Sequence, residues 1–184
     1  MTKSLQTGPI CESYRLYLRH LRLYDDTDAY LSWLNDSEVQ KYSRRRNQKS
    51  SREDLKKFLA YVQETADLHL AICLKESHKH IGNISLNALD DLNKNGEISI
   101  MMGDRSEWSK GYGSEAVKLL TQYSFDKLML HRLWAESPNP AFNSLMKKCG
   151  WIHEGTRREA FFLEGQFIDL ICWSLLRSEY VAKQ

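Results

Sequence analysis

The stretch Glu107-Trp108-Ser109-Lys110-Gly111-Tyr112-Gly113-Ser114-Glu115-Ala116 decides how this chain folds. An extended apolar run leads into it and an amphipathic helix leads out. Glycines at 111 and 113 let the main chain curl so that successive N–H groups point into one concavity. The helix that follows adds unpaired N-terminal donors and the positive end of its dipole, so the stretch can cradle a phosphate. A plain strand-to-helix turn would use the same glycines for tight geometry, and the flanking sequence decides between the two readings.

Upstream, residues 68–74, 81–88 and 97–102 alternate apolar and polar side chains, and Asn95-Gly96 reads as a turn into the third run. Their short connections predict an antiparallel meander. Downstream, residues 114–128 place Ala116, Leu119, Leu120, Tyr123 and Leu128 on one helical side, and 131–136 returns as a strand. Strand, glycine loop, helix and strand form a crossover, which makes its two strands parallel neighbours. Before the meander, residues 14–21 read as a half-buried strand and 25–35 as a helix. A second helix opens on a capping box of the form Ser50-x-x-Glu53, with Leu55, Phe58, Leu59 and Val62 on its inner face. After the crossover, Asn139-Pro140 opens a short helix that Gly150 ends. Residues 151–162 and 166–176 then form a hairpin around Leu163-Glu164-Gly165. The fold class is therefore α/β: a mixed, mostly antiparallel sheet of about seven strands flanked by helices, with one parallel crossover. Residues 1–13, polar and carrying Gly8-Pro9, read as a flexible leader, and residues 14–184 as one domain.

At 184 residues, 42% of them hydrophobic, the chain can bury a core of its own. A net charge of +2 is too mild to signal a nucleic-acid or membrane-surface protein. The strongest basic cluster, Arg44-Arg45-Arg46, reads as a solvated loop ahead of a phosphate contact. Cys11, Cys73, Cys149 and Cys172 have no metal-ligand spacing and read as reduced thiols. The sequence shows no secretory signal and no apolar run of membrane-spanning length, so the expectation is a cytoplasmic protein without a metal, a nucleic-acid partner or a membrane.

The order of elements, with the glycine loop directly after the fourth strand, resembles the GNAT superfamily of acetyl-CoA-dependent N-acetyltransferases. The stretch from Trp108 to Ala116 looks like its pyrophosphate loop, Arg/Gln-x-x-Gly-x-Gly/Ala. The segment from Asn139 to Trp151 resembles the family's Asn…Glu-Lys-x-Gly-Phe segment. Glu154-Gly155-Thr156-Arg157-Arg158 and Gly165-Gln166-Phe167-Ile168-Asp169 are similar to the tail of the branch that contains the ribosomal-protein N-terminal acetyltransferases. Tyr30-Leu31-Ser32-Trp33-Leu34-Asn35-Asp36 also resembles that branch, and is similar to amino-sugar-nucleotide acetyltransferases. Three departures stand out: Trp108 where the loop has arginine or glutamine, Phe142 where the branch often has serine, and Met146 where many members have a tyrosine that protonates the departing thiolate. A thiol of pKa near ~8.5 leaves as thiolate without such an acid.

The resemblance implies direct transfer of an acetyl group from acetyl-CoA, as co-substrate, to a primary amine. The acceptor is a protein N-terminal α-amine or an amino-sugar nucleotide; a non-catalytic acyl-CoA-binding module or sensor is the competing reading. As partner, the amine is a small molecule or a peptide, and the chain is a monomer or homodimer. Backbone donors of Lys110, Gly111, Tyr112, Gly113 and Ser114 would hold the pyrophosphate, with Trp108 and Ser109 of the same loop also at the cofactor, Asn139 on the pantetheine arm, Asn143 beside it and Lys147 within reach of the 3′-phosphate. Met101 and Met102 would offer backbone N–H groups to the developing oxyanion, Met102 also lying against the cofactor. An amine near pKa ~10.4 needs a base, whereas one near ~7.7 is largely prepared. Glu97 is the first candidate base because it shares a strand face with Ser99 and Met101; as a turn residue after Asn95-Gly96 it would be merely solvated. Tyr30 and Trp33 are candidate walls of the acceptor cleft, with core packing as the alternative. Asp169 either contacts the acceptor or pairs with Arg157 or Arg158. His20, His69 and His80 read as structural histidines.

Overall fold

The computed structural model describes residues 8–181. Its strands are β1 Cys11–Glu12, β2 Leu16–His20, β3 Leu68–Leu74, β4 His80–Asp90, β5 Asn95–Met102, β6 Arg132–Ser137, β7 Ile152–Leu163 and β8 Gln166–Leu176. Its helices are α1 Asp28–Asn35, α2 Ser37–Gln40, α3 Arg52–Glu64, α4 Tyr112–Asp126, α5 Pro140–Lys148 and α6 Arg177–Val181. The eight strands form one sheet in the order β1-β2-β3-β4-β5-β6-β8-β7. Every neighbouring pair is antiparallel except β5 and β6, the parallel pair joined through α4.

Each face of the sheet carries a core, and the two overlap at β3, which is buried on both faces. On one face, Leu70, Ile72, Ile84, Leu86 and Ile98 pack against Ala116, Leu120 and Phe125 of α4 and Met146 of α5. On the other, Ala71 and Cys73 meet Tyr30 and Trp33 of α1 and Leu55, Leu59 and Val62 of α3. Alternation along β3 therefore feeds two cores, which is why that strand is apolar almost without interruption. Cys73, fully buried, is a small core hydrophobe as its surroundings in the sequence suggest.

Several boundaries differ from the sequence reading, each for a local reason. Order begins before Tyr14: the Ile10 N–H donates to the Leu18 carbonyl at 2.7 Å, and β1 pairs with β2. The rest of the expected leader, residues 1–7, lies outside the described residues. The first helix starts later than Asp25, because the Thr27 side chain accepts from the Tyr30 N–H at 3.1 Å and caps it there. Asp36 does not stop the helical region; its carboxylate caps α2 through the Glu38 and Val39 N–H groups. The capping box of α3 is Ser51 with Asp54, one residue beyond Ser50 and Glu53, and both reciprocal bonds are made. Asn95 and Gly96 belong to β5 itself. The turn precedes them, where Asp90 accepts from the Leu92 and Asn93 N–H groups and Lys94 takes a positive φ of 52°. The Glu164-Gly165 hairpin turn has positive φ at both residues, the mirror-image geometry that matches strand twist.

Candidate active site

The parallel register of β5 and β6 runs Asn95 with Arg132, Gly96 with Leu133 and Glu97 with Trp134, and then ends. Both strands continue, β5 to Met102 and β6 to Ser137, so the sheet parts beyond Glu97 and Trp134. Backbone direction alternates along β5. The Gly103 N–H reaches the Ile81 carbonyl on β4 at 3.0 Å, whereas the Lys94 carbonyl accepts from the Arg132 N–H on the β6 side. With the β4 register pairing Met101 with Asn83, odd-numbered β5 residues turn their backbone groups to β4 and even-numbered ones to β6. The groups of Ile100 and Met102 thus face the gap. Those of Met101 face β4, which corrects the expectation that Met101 supplies an oxyanion donor; its side chain packs on the α1 and α3 core instead.

On one face, the gap meets the start of α4. Gly111 is the N-cap, at φ 85°, and no side chain caps this end. Ser109, two residues earlier, also has a positive φ of 62°. Alternating left-handed residues ahead of a long helix turn consecutive N–H groups inward, the arrangement of an anion-binding nest. The loop is tied down from outside. The Arg15 guanidinium donates to the Lys110 carbonyl at 3.1 Å, pairs with Glu115 and lies over the Tyr112 ring. Glu107, buried beneath, accepts from Lys110 and Lys79, and those ammonium partners, Lys110 first, hold its carboxyl below its ordinary value. A Cβ on Gly113 would stand 3.0 Å from Leu145 Cδ1, so this glycine lets α5 close on α4.

The other proposed cofactor contacts fare unequally. The Trp108 indole N–H donates to the Met102 carbonyl at 2.8 Å, which ties the ring to the end of β5. Asn139 caps α5, its Oδ1 accepting from the Ala141 N–H at 2.9 Å. Both ends of the Asn143 amide are engaged within the fold, with the Ser137 carbonyl and the Trp173 indole. Lys147 is exposed in the last turn of α5. Met146 is fully buried in the core and has no proton to give.

On the opposite face, the gap opens into a cleft of about 460 Å³ lined by Tyr42, Arg44, Glu97, Trp134, Glu136 and Phe161 among others. Glu97 does share its face with Ser99, which hydrogen-bonds Ser85 and Asn87 at 2.8 Å in a polar row along the floor. Burial raises the Glu97 carboxyl above its ordinary value; the charge of Glu136 adds to this and Arg44 opposes it. Tyr30 and Trp33 do not wall this cleft. They are 3% and 7% exposed, and Trp33 lies so close to the chain that a Cβ on Gly103 would be 2.1 Å from its ring. Asp169 is a further correction: it is not part of the cleft lining and accepts from the Glu159 N–H at 2.9 Å, bracing the irregular pairing between Arg157 and Phe161. None of the three histidines lines the cleft. The His80 ring is buried between Tyr30 and Trp33 and bonds the Gly82 carbonyl and Asn83, and burial lowers its pKa.

Sequence reasoning missed Glu136, Trp134, Tyr42 and Phe161. The signal for Trp134 and Glu136 was present only as alternation on β6, because which face of that strand meets Glu97 depends on the parallel register; Tyr42, in the loop after α2, and Phe161, on β7, reach the cleft only through the tertiary fold. Among the described residues no cluster of His, Cys, Asp or Glu could hold a metal ion, and no helix is long and apolar enough to cross a membrane.

The fold, with a parted sheet that has an uncapped helix start on one face and a carboxylate-lined cleft on the other, is that of an acyl-group-transfer enzyme. The chain belongs to the GNAT acetyltransferase family: the match to the acetyltransferase (GNAT) domain spans residues 15–152. It is 33% identical over 175 residues to p20, described as an uncharacterized N-acetyltransferase of Bacillus licheniformis, covering 90% of this chain and 95% of the relative. It is 27% identical over 103 residues to spermidine N(1)-acetyltransferase of Vibrio cholerae, covering 55% of this chain and 59% of that protein. The crystal structure of spermidine N-acetyltransferase from Vibrio cholerae in complex with CoA and spermine superposes with a TM-score of 0.82. That likeness covers 92% of this chain and 99% of that one at 22% identity, and it is a likeness of fold.

Proposed function

We propose that this enzyme transfers the acetyl group of acetyl-CoA directly to a primary amine, with the thioester in the gap between β5 and β6 and the amine in the Glu97 cleft. The observation that carries this reading is the parting of the strands beyond Glu97 and Trp134, beside an uncapped helix start on one face and a carboxylate-lined cleft on the other. Acetyl-CoA supplies an activated carbonyl: the amine nitrogen bonds to it, the C–S bond breaks, and the sulfur leaves with the electron pair.

The chain's own groups meet the three needs of that step. N–H groups of Gly111, Tyr112, Gly113 and Ser114 lie at a left-handed turn and a helix start, where fixed donors and the helix dipole favour a pyrophosphate. The free edge of β5 turns the Met102 N–H into the gap, where a fixed donor stabilises negative charge developing on the carbonyl oxygen more than it stabilises the ground state. Glu97, made more basic by burial, takes the proton that the amine must lose. The acceptor is a protein N-terminal α-amine, an amino-sugar nucleotide or another small amine; the spermidine acetyltransferases among the relatives extend the range of amines worth testing.

Incubation with acetyl-CoA and a panel of primary amines, with free thiol followed over time, tests the reading. Acceleration by at least one amine is expected. Tight CoA binding with no amine-dependent release across a broad panel would favour a binding module instead.

A further inference from the structure

We propose that the acceptor carries an anionic group, a carboxylate or a phosphate, in addition to its reacting amine, and that Arg44 and Arg157, mounted side by side on Glu136, recognise it. This rests on the acetyltransferase reading above and names the substrate class of the same cleft.

Glu136 is the unusual member of the cleft wall. Its side chain is 14% exposed, and its two oxygens are divided between two arginines from different parts of the chain. Arg44, from the loop after α2, donates to Oε1 at 3.3 Å, and Arg157, from β7, donates to Oε2 at 2.8 Å. The arginines are the exposed partners, at 85% and 59%. A mostly buried carboxylate thus fixes two guanidiniums that keep most of their surface exposed, Arg44 lining the cleft and Arg157 beside it on the shared Glu136. Planar forks held in this way suit an oxyanion with several acceptor lone pairs. A third arginine joins them: the Arg46 guanidinium lies 4.1 Å from the centre of the Phe161 ring and donates to the Phe162 carbonyl. The arginine run that reads as a solvated loop in sequence is therefore drawn onto the cleft by β6 and β7.

The charge balance argues against a polycation. At the Glu136 end of the cleft the guanidiniums of Arg44, Arg46 and Arg157 stand with one carboxylate, whereas Glu97, with the charge of Asp67 near it, holds the other end, and the nearby pairs Lys41 with Glu164 and Arg132 with Glu154 are each neutral. The second ammonium of a diamine would enter a mouth already crowded with guanidiniums, whereas an anion would neutralise them. Spacing sets the size of the acceptor. Glu97 faces Trp134, and Glu136 lies two residues farther along the same face of β6, about 7 Å away at strand rise. An amine at Glu97 and an anion at the arginines fit one compact molecule, in keeping with the size of the cleft.

The test is a matched panel of short primary amines ending in a carboxylate, a phosphate monoester, a hydroxyl or a second ammonium. Acetyl-CoA is held constant and thiol release is measured. One of the two anionic amines should exceed the hydroxyl amine tenfold or more in kcat/KM, and the diamine should be the poorest; whichever anionic arm leads identifies the group. In Arg44→Ala and Arg157→Ala the advantage of the anionic arm should shrink, mainly through a higher KM. The double charge reversal Arg44→Glu with Arg157→Glu should move the preference to the diamine. Equal rates for the anionic and hydroxyl amines, or a diamine that leads with the unaltered protein, would overturn the inference while leaving the acetyltransferase reading intact. If no amine reacts although CoA binds, the acetyltransferase reading fails and the inference falls with it.

Discussion

Glu97 and Trp134 are the last residues to face each other across the parallel strands, and the carboxylate of Glu97 stands where the sheet begins to part. The position joins two demands that usually conflict: a base must be buried enough to be basic, yet open to substrate. Pairing on the N-terminal side supplies the burial, and the gap beyond supplies the access. Glu97→Gln keeps the shape and removes the base. It should lower kcat by about a hundredfold or more at neutral pH, with CoA affinity nearly unchanged by calorimetry. An unchanged rate would remove Glu97 from the mechanism.

The neighbours of Glu97 set the pH at which it works. Burial raises its pKa first and Glu136 adds to that, while Arg44 opposes both. Removing a negative neighbour favours the ionised form, so Glu136→Gln should lower the Glu97 pKa and move the acid limb of kcat/KM to lower pH. Arg44→Gln removes a positive neighbour and should move the same limb to higher pH. Limbs that shift in the same direction would show that the limb belongs to another group.

Gly111 and Gly113 serve the phosphate cradle for different reasons, and valine at each should fail differently. At Gly111 the φ of 85° is hostile to a β-branched residue, so the loop itself must rearrange. At Gly113 the backbone can keep its conformation, but a side chain would push against Leu145 and pry α5 from α4. Both variants should lose CoA affinity by tenfold or more while keeping their far-ultraviolet circular dichroism, Gly111→Val through backbone strain confined to the loop and Gly113→Val through displacement of α5. Retained affinity in both would sink the cradle.

Much of this arrangement was legible in the sequence because it is local. Alternation and helical periodicity marked most of the elements, and the two glycines marked the loop after β5. What escaped was set by register between distant segments. Whether Met101 or Met102 turns its backbone into the gap depends on a hydrogen-bond parity that only the pairing of Gly103 with Ile81 fixes. For Tyr30 and Trp33 the sequence leaves cleft wall and core packing open, because an aromatic helix face looks alike whether it lines a cavity or seals a core. Asp169 looked functional for a similar reason; an exposed carboxylate that braces a strand irregularity has no signature in one sequence. Arg44 became informative only when β6 brought Glu136 to it.

Trp108 replaces the polar residue of the family's loop, and its hydrogen bond says how the loop must then work. The indole N–H is engaged with the Met102 carbonyl, the group that faces the gap from the end of β5. A side chain so engaged ties loop to strand and leaves pyrophosphate to the backbone donors. Trp108→Phe removes the N–H and keeps the aromatic ring. The expected cost is one neutral hydrogen bond, about 1 kcal/mol of stability, with CoA affinity within about fivefold of the unaltered protein at the scale of that bond. Gly111→Val in the same calorimetric series provides the contrast, since it should lose affinity far more severely. A tenfold or greater loss in Trp108→Phe would mean that the indole leaves Met102 to donate to the phosphates, and the loop would then bind through a side chain after all.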